Sequence, residues 1–308
     1  MRISLPKIVP QISVEDTHDA LKNNFDEVAF EWWKHQLGWI NGVYETFRDH
    51  EKFLIVIYLV KKTLEIYSMK FKKFSMDEFF AYEKIQIENF NIIELSRALS
   101  IPKETVRRKM IELSEDGSIV KIKKEIILDR SSFPLMKPTK SILRTSIFLS
   151  KFSKVLSKKK IIHSPIKSEI FLEHLKKDFT YCWLLYYNLQ IPSVINWKNY
   201  FKDLETWHVW ALCIVNKTYQ ETKKKNMDIY LDLINKPEDK GLNAMTISDI
   251  SGIPRATVVR KLKKLIKSEH LTIDDNKRYH SSFKHLKEFK VLHKKNMNLL
   301  SLFIPNIY

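Results

Sequence analysis

Two nine-residue stretches hold the side chains best suited to chemistry: IPKETVRRK from Ile101 to Lys109 and IPRATVVRK from Ile253 to Lys261. Guanidinium and ammonium groups at this density suit anionic oxygens, and a planar guanidinium can also meet a flat acceptor pair through two parallel hydrogen bonds. Ile, Pro, Thr, Val, Arg and Lys recur at the same places, so the chain writes one basic motif twice. The first copy offers Lys103, Glu104, Thr105, Arg107, Arg108 and Lys109. The second offers Arg255, Ala256, Thr257, Val259, Arg260 and Lys261.

The remaining reactive residues form no motif. The ten histidines are scattered, and Cys182 and Cys213 stand apart in aromatic segments, where they read as small buried hydrophobes. No phosphate-cradling P-loop, H-E-x-x-H or nucleophile elbow occurs. Five glycines in 308 residues are few for a nucleotide-binding α/β fold. The expectation is a non-enzyme with no catalytic residues, no metal and no cofactor. Asp26, Glu27 and Glu31, beside Trp32, read as a solvated helix face. Against 36 acidic residues stand 53 Lys and Arg, a formal charge of +17 that favours a polyanion or an acidic surface. The N-terminal MRISLPKIVPQISVEDTHD has no apolar leader segment, and FLIVIYLV from Phe53 to Val60 is too short to span a bilayer. A cytoplasmic protein without a membrane partner is expected.

The flanks of each nine-mer say what positions it. Asn91 followed by Glu94 reads as a helix N-cap with its reciprocal acid, and Ile92, Leu95 and Leu99 recur at helical spacing. Pro102 breaks this helix and opens the next, predicted over Pro102 to Glu115, with Val106, Met110 and Leu113 as its buried stripe. Gly117 ends it. SIVKI and EIILD then read as a hairpin around Lys123 and Lys124. In the second copy either Asn243 or Thr246 with Asp249 caps the first helix. Gly252 and Pro254 make the turn, and Val258, Leu262 and Leu265 form the stripe. LTIDDNKRYH gives a hairpin with Lys277 and Arg278 near its tip. Helix, tight turn, helix and hairpin make a winged helix-turn-helix, whose second helix fits the major groove of double-stranded DNA.

Both segments resemble the winged helix-turn-helix of bacterial MarR-type and IclR-type transcription regulators. The likeness rests on IELSRALSIPKETVRRKMIELSEDGSI and on IPRATVVRKLKKL with Gly252 at the turn. It implies a sequence-specific DNA-binding transcription regulator of the bacterial cytoplasm or nucleoid, with Thr105 and Thr257 touching backbone or base edges and Arg108 and Arg260 holding phosphates or bases. Because Arg108 and Arg260 are identical, backbone grip is assigned to them. Half-site preference is assigned to Lys103, Glu104 and Arg107 against Arg255, Ala256 and Val259, where the copies differ. A plasmid- or phage-type replication initiator that binds origin repeats fits the same features.

The likeness between the halves extends upstream. Phe47, Asp49 and Glu51 answer Phe201, Asp203 and Glu205, and Gln36 answers Gln190. The expected architecture is mostly α with small β-hairpin wings, in two tandem, internally duplicated winged-helix domains with extra aromatic-rich helices. An N-terminal arm occupies 1–20, the first domain 21–133, a basic linker 134–166, the second domain 167–283 and a basic C-terminal tail 284–308. The middle of the linker, from Ser141 to Leu156, has helical periodicity and reads as a connecting helix. The tryptophans of the aromatic helices read as core. As a surface they would instead anchor a protein partner such as RNA polymerase or a second copy of the chain.

Overall fold

Short polar side chains set where most helices of the first half begin, by replacing the partners that the first backbone amides lack. The computed structural model describes residues 12–87, 90–122, 125–131, 137–222, 241–282 and 284–308, with backbone alone at 218–222 and 286. Ser13 caps α1 (Val14–Phe47), Asp49 caps α2 (His50–Met69), and Ser75 with Glu78 closes a capping box on α3 (Met76–Ala81). Strand β1 (Lys84–Ile87) leads to α4 (Ile92–Leu99), α5 (Lys103–Glu115), β2 (Ile119–Ile122), β3 (Glu125–Asp129) and α6 (Thr139–Lys158). The second half runs α7 (Ser168–Lys177), α8 (Phe179–Phe201), α9 (Leu204–Thr222), α10 (Ala244–Ser251), α11 (Arg255–Lys267), β4 (Leu271–Ile273), β5 (Tyr279–Ser281) and α12 (Leu286–Phe303), followed by a 3-10 turn at Ile304–Asn306. The protein is thus mostly helical with small antiparallel sheets.

Apart from α3, whose matching place lies outside the described residues, the element order of the first half recurs in the second. Helix α1 loses helical geometry at Asn24, and the corresponding chain parts at Asp178 into α7 and α8. Strands β1, β3 and β2 form a three-stranded antiparallel sheet in that spatial order. Strands β4 and β5 pair antiparallel, and a single bridge from Leu242 to Tyr279 takes the place of β1.

The halves do not stand apart. Helix α1 packs against α9, and α2 against α8, so each half contributes one helix to the other's core. One continuous cluster of buried apolar side chains runs through both. The stretch expected as a basic linker carries α6, which lies on α1 and buries Ile142, Phe148, Leu149, Phe152 and Leu156. The expected basic tail carries α12, which lies on α8 and α1 and buries Leu292, Leu300 and Phe303. Helix α6 carries the helical periodicity of 141–156, and what the sequence did not display is its burial; in the tail the net charge masked the helix itself. The two helices fill matching places after the two hairpins. The expected N-terminal arm also differs. Helix α1 starts at Val14, and Thr17 and Ala20 are already buried.

The aromatic helices are core. Six of the seven tryptophans are buried, and half-buried Trp33 packs edge-on against Trp210 and tilted against Trp197. They form no exposed set of anchors for a partner. Buried polar groups bridge the halves: His50 Nε2 lies 3.2 Å from His208 Nδ1, and His208 Nε2 faces Asn41 Oδ1. Burial drives the His50 pKa down to about 3 and that of His208 well below its ordinary value, so both rings are neutral near pH 7. Neutral rings satisfy the chain if His208 donates to Asn41 and accepts from His50. Burial also pushes the thiols of Cys182 and Cys213 up to about 12, which leaves them protonated packing groups.

The tight turns are built alike. Ser100 and Gly252 end α4 and α10 in the left-handed region, at φ 51° and 69°. The hydroxyl of Ser96 donates to the Ile101 carbonyl at 2.6 Å, and that of Ser248 to the Ile253 carbonyl at 2.7 Å. A cation from the other half reaches each turn: Arg48, at the end of α1, donates to the Gly252 carbonyl at 3.2 Å, and Lys198, in α8, to the Ser100 carbonyl at 2.9 Å.

The backbone at these two positions predicts opposite effects. Gly252→Ala places a Cβ in the left-handed region, 2.5 Å from Arg48 Nη1, and should lower stability by roughly 1–2 kcal/mol. Ser100→Gly relieves the same conformation and should raise stability by up to about 1 kcal/mol. Urea unfolding of both variants checks this. Shifts of the same sign would mean that the turn backbone does not set the difference.

Candidate nucleic-acid interface

Helices α5 and α11 each bury one edge and turn the other outward. Val106, Met110 and Leu113 hold α5 to its neighbours, and Val258, Leu262 and Leu265 hold α11. Asn91 caps the preceding α4 as expected, accepting from the amides of Ile93 and Glu94. Glu94 does not reciprocate. Its carboxylate goes to Lys62 at 2.7 Å and to the Tyr58 hydroxyl at 3.0 Å, tying α4 to α2. In the second copy Asn243 is the cap, accepting from the Thr246 amide at 2.9 Å.

The last lysine of each nine-mer faces inward, which corrects the expectation for Lys109 and Lys261. Lys109 Nζ lies 2.7 Å from Asp49 Oδ2 and 3.1 Å from Glu112, with its side chain 13% exposed. Lys261 Nζ lies 2.7 Å from Asp203 and 2.9 Å from Glu205, with its side chain 10% exposed. The physical reason is helix phase. Each lysine sits beside the buried stripe, where the start of α2 or α9 presents a carboxylate. Asp49 also accepts from the amides of Glu51 and Lys52, and Asp203 from that of Thr206. Burial alone would raise the Asp203 pKa, but Lys261, the Thr206 amide and Lys264 outweigh it and hold it at about 2. Burial likewise opposes ionisation of Asp49, and Lys109 with the capped amides still holds its pKa below the ordinary value.

The outward faces hold the other candidates. On α5, Lys103, Glu104, Arg107 and Arg108 are exposed and Thr105 is half-buried. Arg107 Nε lies 3.0 Å from both oxygens of Glu104, and Arg108 Nε lies 3.7 Å from Glu112. On α11, Arg255, Ala256 and Arg260 are exposed, while Thr257 and Val259 are half-buried. Lys264 meets Asp203 at 3.0 Å.

Of the hairpin candidates, Lys123 and Lys124 lie outside the described residues. Lys277 is exposed in a tight turn, with left-handed φ of 57° and its amide donating to the Asp274 carbonyl at 3.0 Å. Arg278, expected near the hairpin tip and available to a partner, is instead half-buried. Its guanidinium donates to the Gly241 carbonyl at 3.3 Å, because the end of the turn before β5 lies beside the chain that leads into α10.

Exposed cations outside the expected set include Lys121 on β2 and Lys263 and Lys267 on α11. The two on α11 follow Arg260 by one and two helical turns, a spacing visible in the sequence beyond the end of the nine-mer. Among the described residues, no group of three or more His, Cys, Asp or Glu is placed to hold a metal ion, and no helix is long and apolar enough to cross a membrane. Compared with known proteins, the chain matches no family model, no curated protein and no solved structure.

The Asp203 pair should leave a signature in acid. Its folded pKa of about 2 lies below the ordinary value of 3.8, so its stabilisation is complete above pH 3.8 and is lost as pH falls toward 2. Partial exposure screens the pair, and Lys261 keeps Glu205. Asp203→Asn should therefore cost about 1–2 kcal/mol at neutral pH. That deficit should shrink toward pH 2. Thermal melts of both proteins across this window check it. A deficit that stays constant down to pH 2 would show that the pair's charge is not what stabilises.

Proposed function

We propose that the chain is a sequence-specific, double-stranded DNA-binding protein that regulates transcription through two winged helices held in one polypeptide. The observation that carries this reading is the twofold occurrence of helix, tight turn, helix and hairpin, each with cations on the outward edge of its second helix. Such a helix fits the major groove, and the hairpin can rest on the adjoining backbone. Exposed Lys103, Arg108, Arg255 and Arg260 have the chemistry for phosphates or guanine edges, and the charge of +17 supports a polyanionic partner. Thr105 and Thr257, near the starts of their helices, could reach phosphate only with exposed edges, since both are half-buried. The internal duplication expected from the sequence draws support from the recurring element order, the paired aspartate–lysine contacts and the matching turns.

Because the halves share one core, the two helices should engage DNA as a unit. Half-sites should then lie on one face of the duplex, about one helical turn or a multiple apart. Genomic footprinting of the native protein should find protected sites upstream of promoters. Protection of repeated origin sites with local melting would replace the regulator with an initiator, and the absence of any protected site would end the DNA reading. On a site found this way, inserting roughly five base pairs between half-sites should weaken binding sharply by rotating them to opposite faces. Unchanged affinity would refute joint docking.

A further inference from the structure

The outward faces of α5 and α11 differ in charge at matching positions. Glu104 answers Ala256, Ile111 answers Lys263, Glu112 answers Lys264 and Glu115 answers Lys267. Helix α11 therefore carries Arg255, Arg260, Lys261, Lys263, Lys264 and Lys267 with no acidic residue along its length. Lys261 and Lys264 are engaged with Asp203. Arg255, Arg260, Lys263 and Lys267 are exposed and have no ion-pair partner among the described residues. On α5 the balance is different. Glu104 occupies Arg107 through both carboxylate oxygens, Glu112 neighbours Arg108 and Lys109, Glu115 is exposed, and Ile111 sits 45% exposed among them. The helices that precede them differ in the opposite sense by one charge, since α4 carries exposed Glu94 and Arg97 and α10 carries exposed Asp249 alone. That reversal is smaller than the difference between α5 and α11.

We infer that the grip on DNA is concentrated in the second half: Arg255, Arg260, Lys263 and Lys267 hold the phosphates, while Glu104 restrains α5 by occupying Arg107 and facing the phosphates with a like charge. The inference rests on the DNA-binding reading and adds an order of importance to it. A cation with no partner gains a full contact when it meets a phosphate and releases a counterion. Arg107 must exchange one bidentate anion for another, which gains little, and the displaced Glu104 carboxylate then stands close to the duplex. The first half thus contributes discrimination more than affinity. It tolerates only a site whose contacts compensate for Glu104, such as a cytosine amino group that the carboxylate can accept from.

The test uses the full chain and a random-sequence DNA duplex long enough to span both helices, with binding measured over a range of salt. Circular dichroism of each variant confirms folding, since every substitution is on an exposed face. Joint replacement of Arg255, Arg260, Lys263 and Lys267 by Ala should abolish most binding and reduce the log–log salt slope by about three and a half units, at roughly 0.9 for each lost phosphate contact. Joint replacement of Lys103, Arg107 and Arg108 by Ala should change the slope by about one unit or less. Glu104→Ala should tighten binding severalfold and steepen the slope by up to about one unit as Arg107 becomes available. Equal losses from the two clusters, or no gain from Glu104→Ala, would overturn the inference and leave DNA binding standing. If the unaltered protein fails to bind the duplex at low salt, the DNA reading itself falls and this inference with it.

Discussion

The direction in which α5 and α11 face is fixed by an aspartate–lysine pair that the chain makes twice. Asp49 and Asp203 each stand at the start of a long core helix and accept backbone amides there. The same carboxylates take Lys109 and Lys261 from the helices that carry the nine-mers. A lysine so far removed from water would lose its charge or turn outward without an anion beside it. Here the anion is already oriented by the helix cap, so little further ordering is needed to form the pair. With the lysine fixed on one side and the apolar stripe below it, the remaining side chains of each helix have one available direction.

The pairs would align two separate bodies poorly, but the halves are interleaved. Helix α2 lies on α8 and α1 on α9, and each half sends a cation to the other's tight turn. The exchange has the logic of an isologous interface, in which a contact made by one side is answered by the other. A covalent connection keeps this interface assembled at any concentration, whereas two free chains would have to associate first. It also allows the two sides to diverge, which two copies of one chain cannot do.

How much of this the sequence displays depends on the range of the interaction. The helix–turn–helix segments are legible because caps, prolines and left-handed residues act within a few positions: Asn91 caps α4 and Gly252 ends α10. Glu94 has the spacing of a reciprocal cap and instead joins Lys62 on α2, since a salt-bridge partner from a distant element competes for the same carboxylate. The inward turn of Lys109 was hidden for a related reason. Its partner lies far upstream, although the match of Asp49 with Asp203 was visible as a pattern without a role. The helical spacing within α6 is legible over 141–156, but its place in the core, and the whole of α12, are obscured by lysines that cover the solvent side of helices whose other face is buried.

The nine-mer carries a different meaning once its residues have locations. Ile101 and Ile253 are buried, as are Val106 and Val258. Pro102 and Pro254 set the starts of their helices, and Lys109 and Lys261 are fixed to the core. Of the six shared residues only the threonines, half-buried, and Arg108 with Arg260 are left to face outward. What the two copies share is therefore chiefly what holds each helix in place, and that sameness is evidence about fold. The outward positions are where the copies part, through Glu104 and Ala256, Arg107 and Val259, Ile111 and Lys263. How the outward faces differ in what they would select must be argued from those differing residues, while the shared Arg108 and Arg260 mark what the two faces have in common.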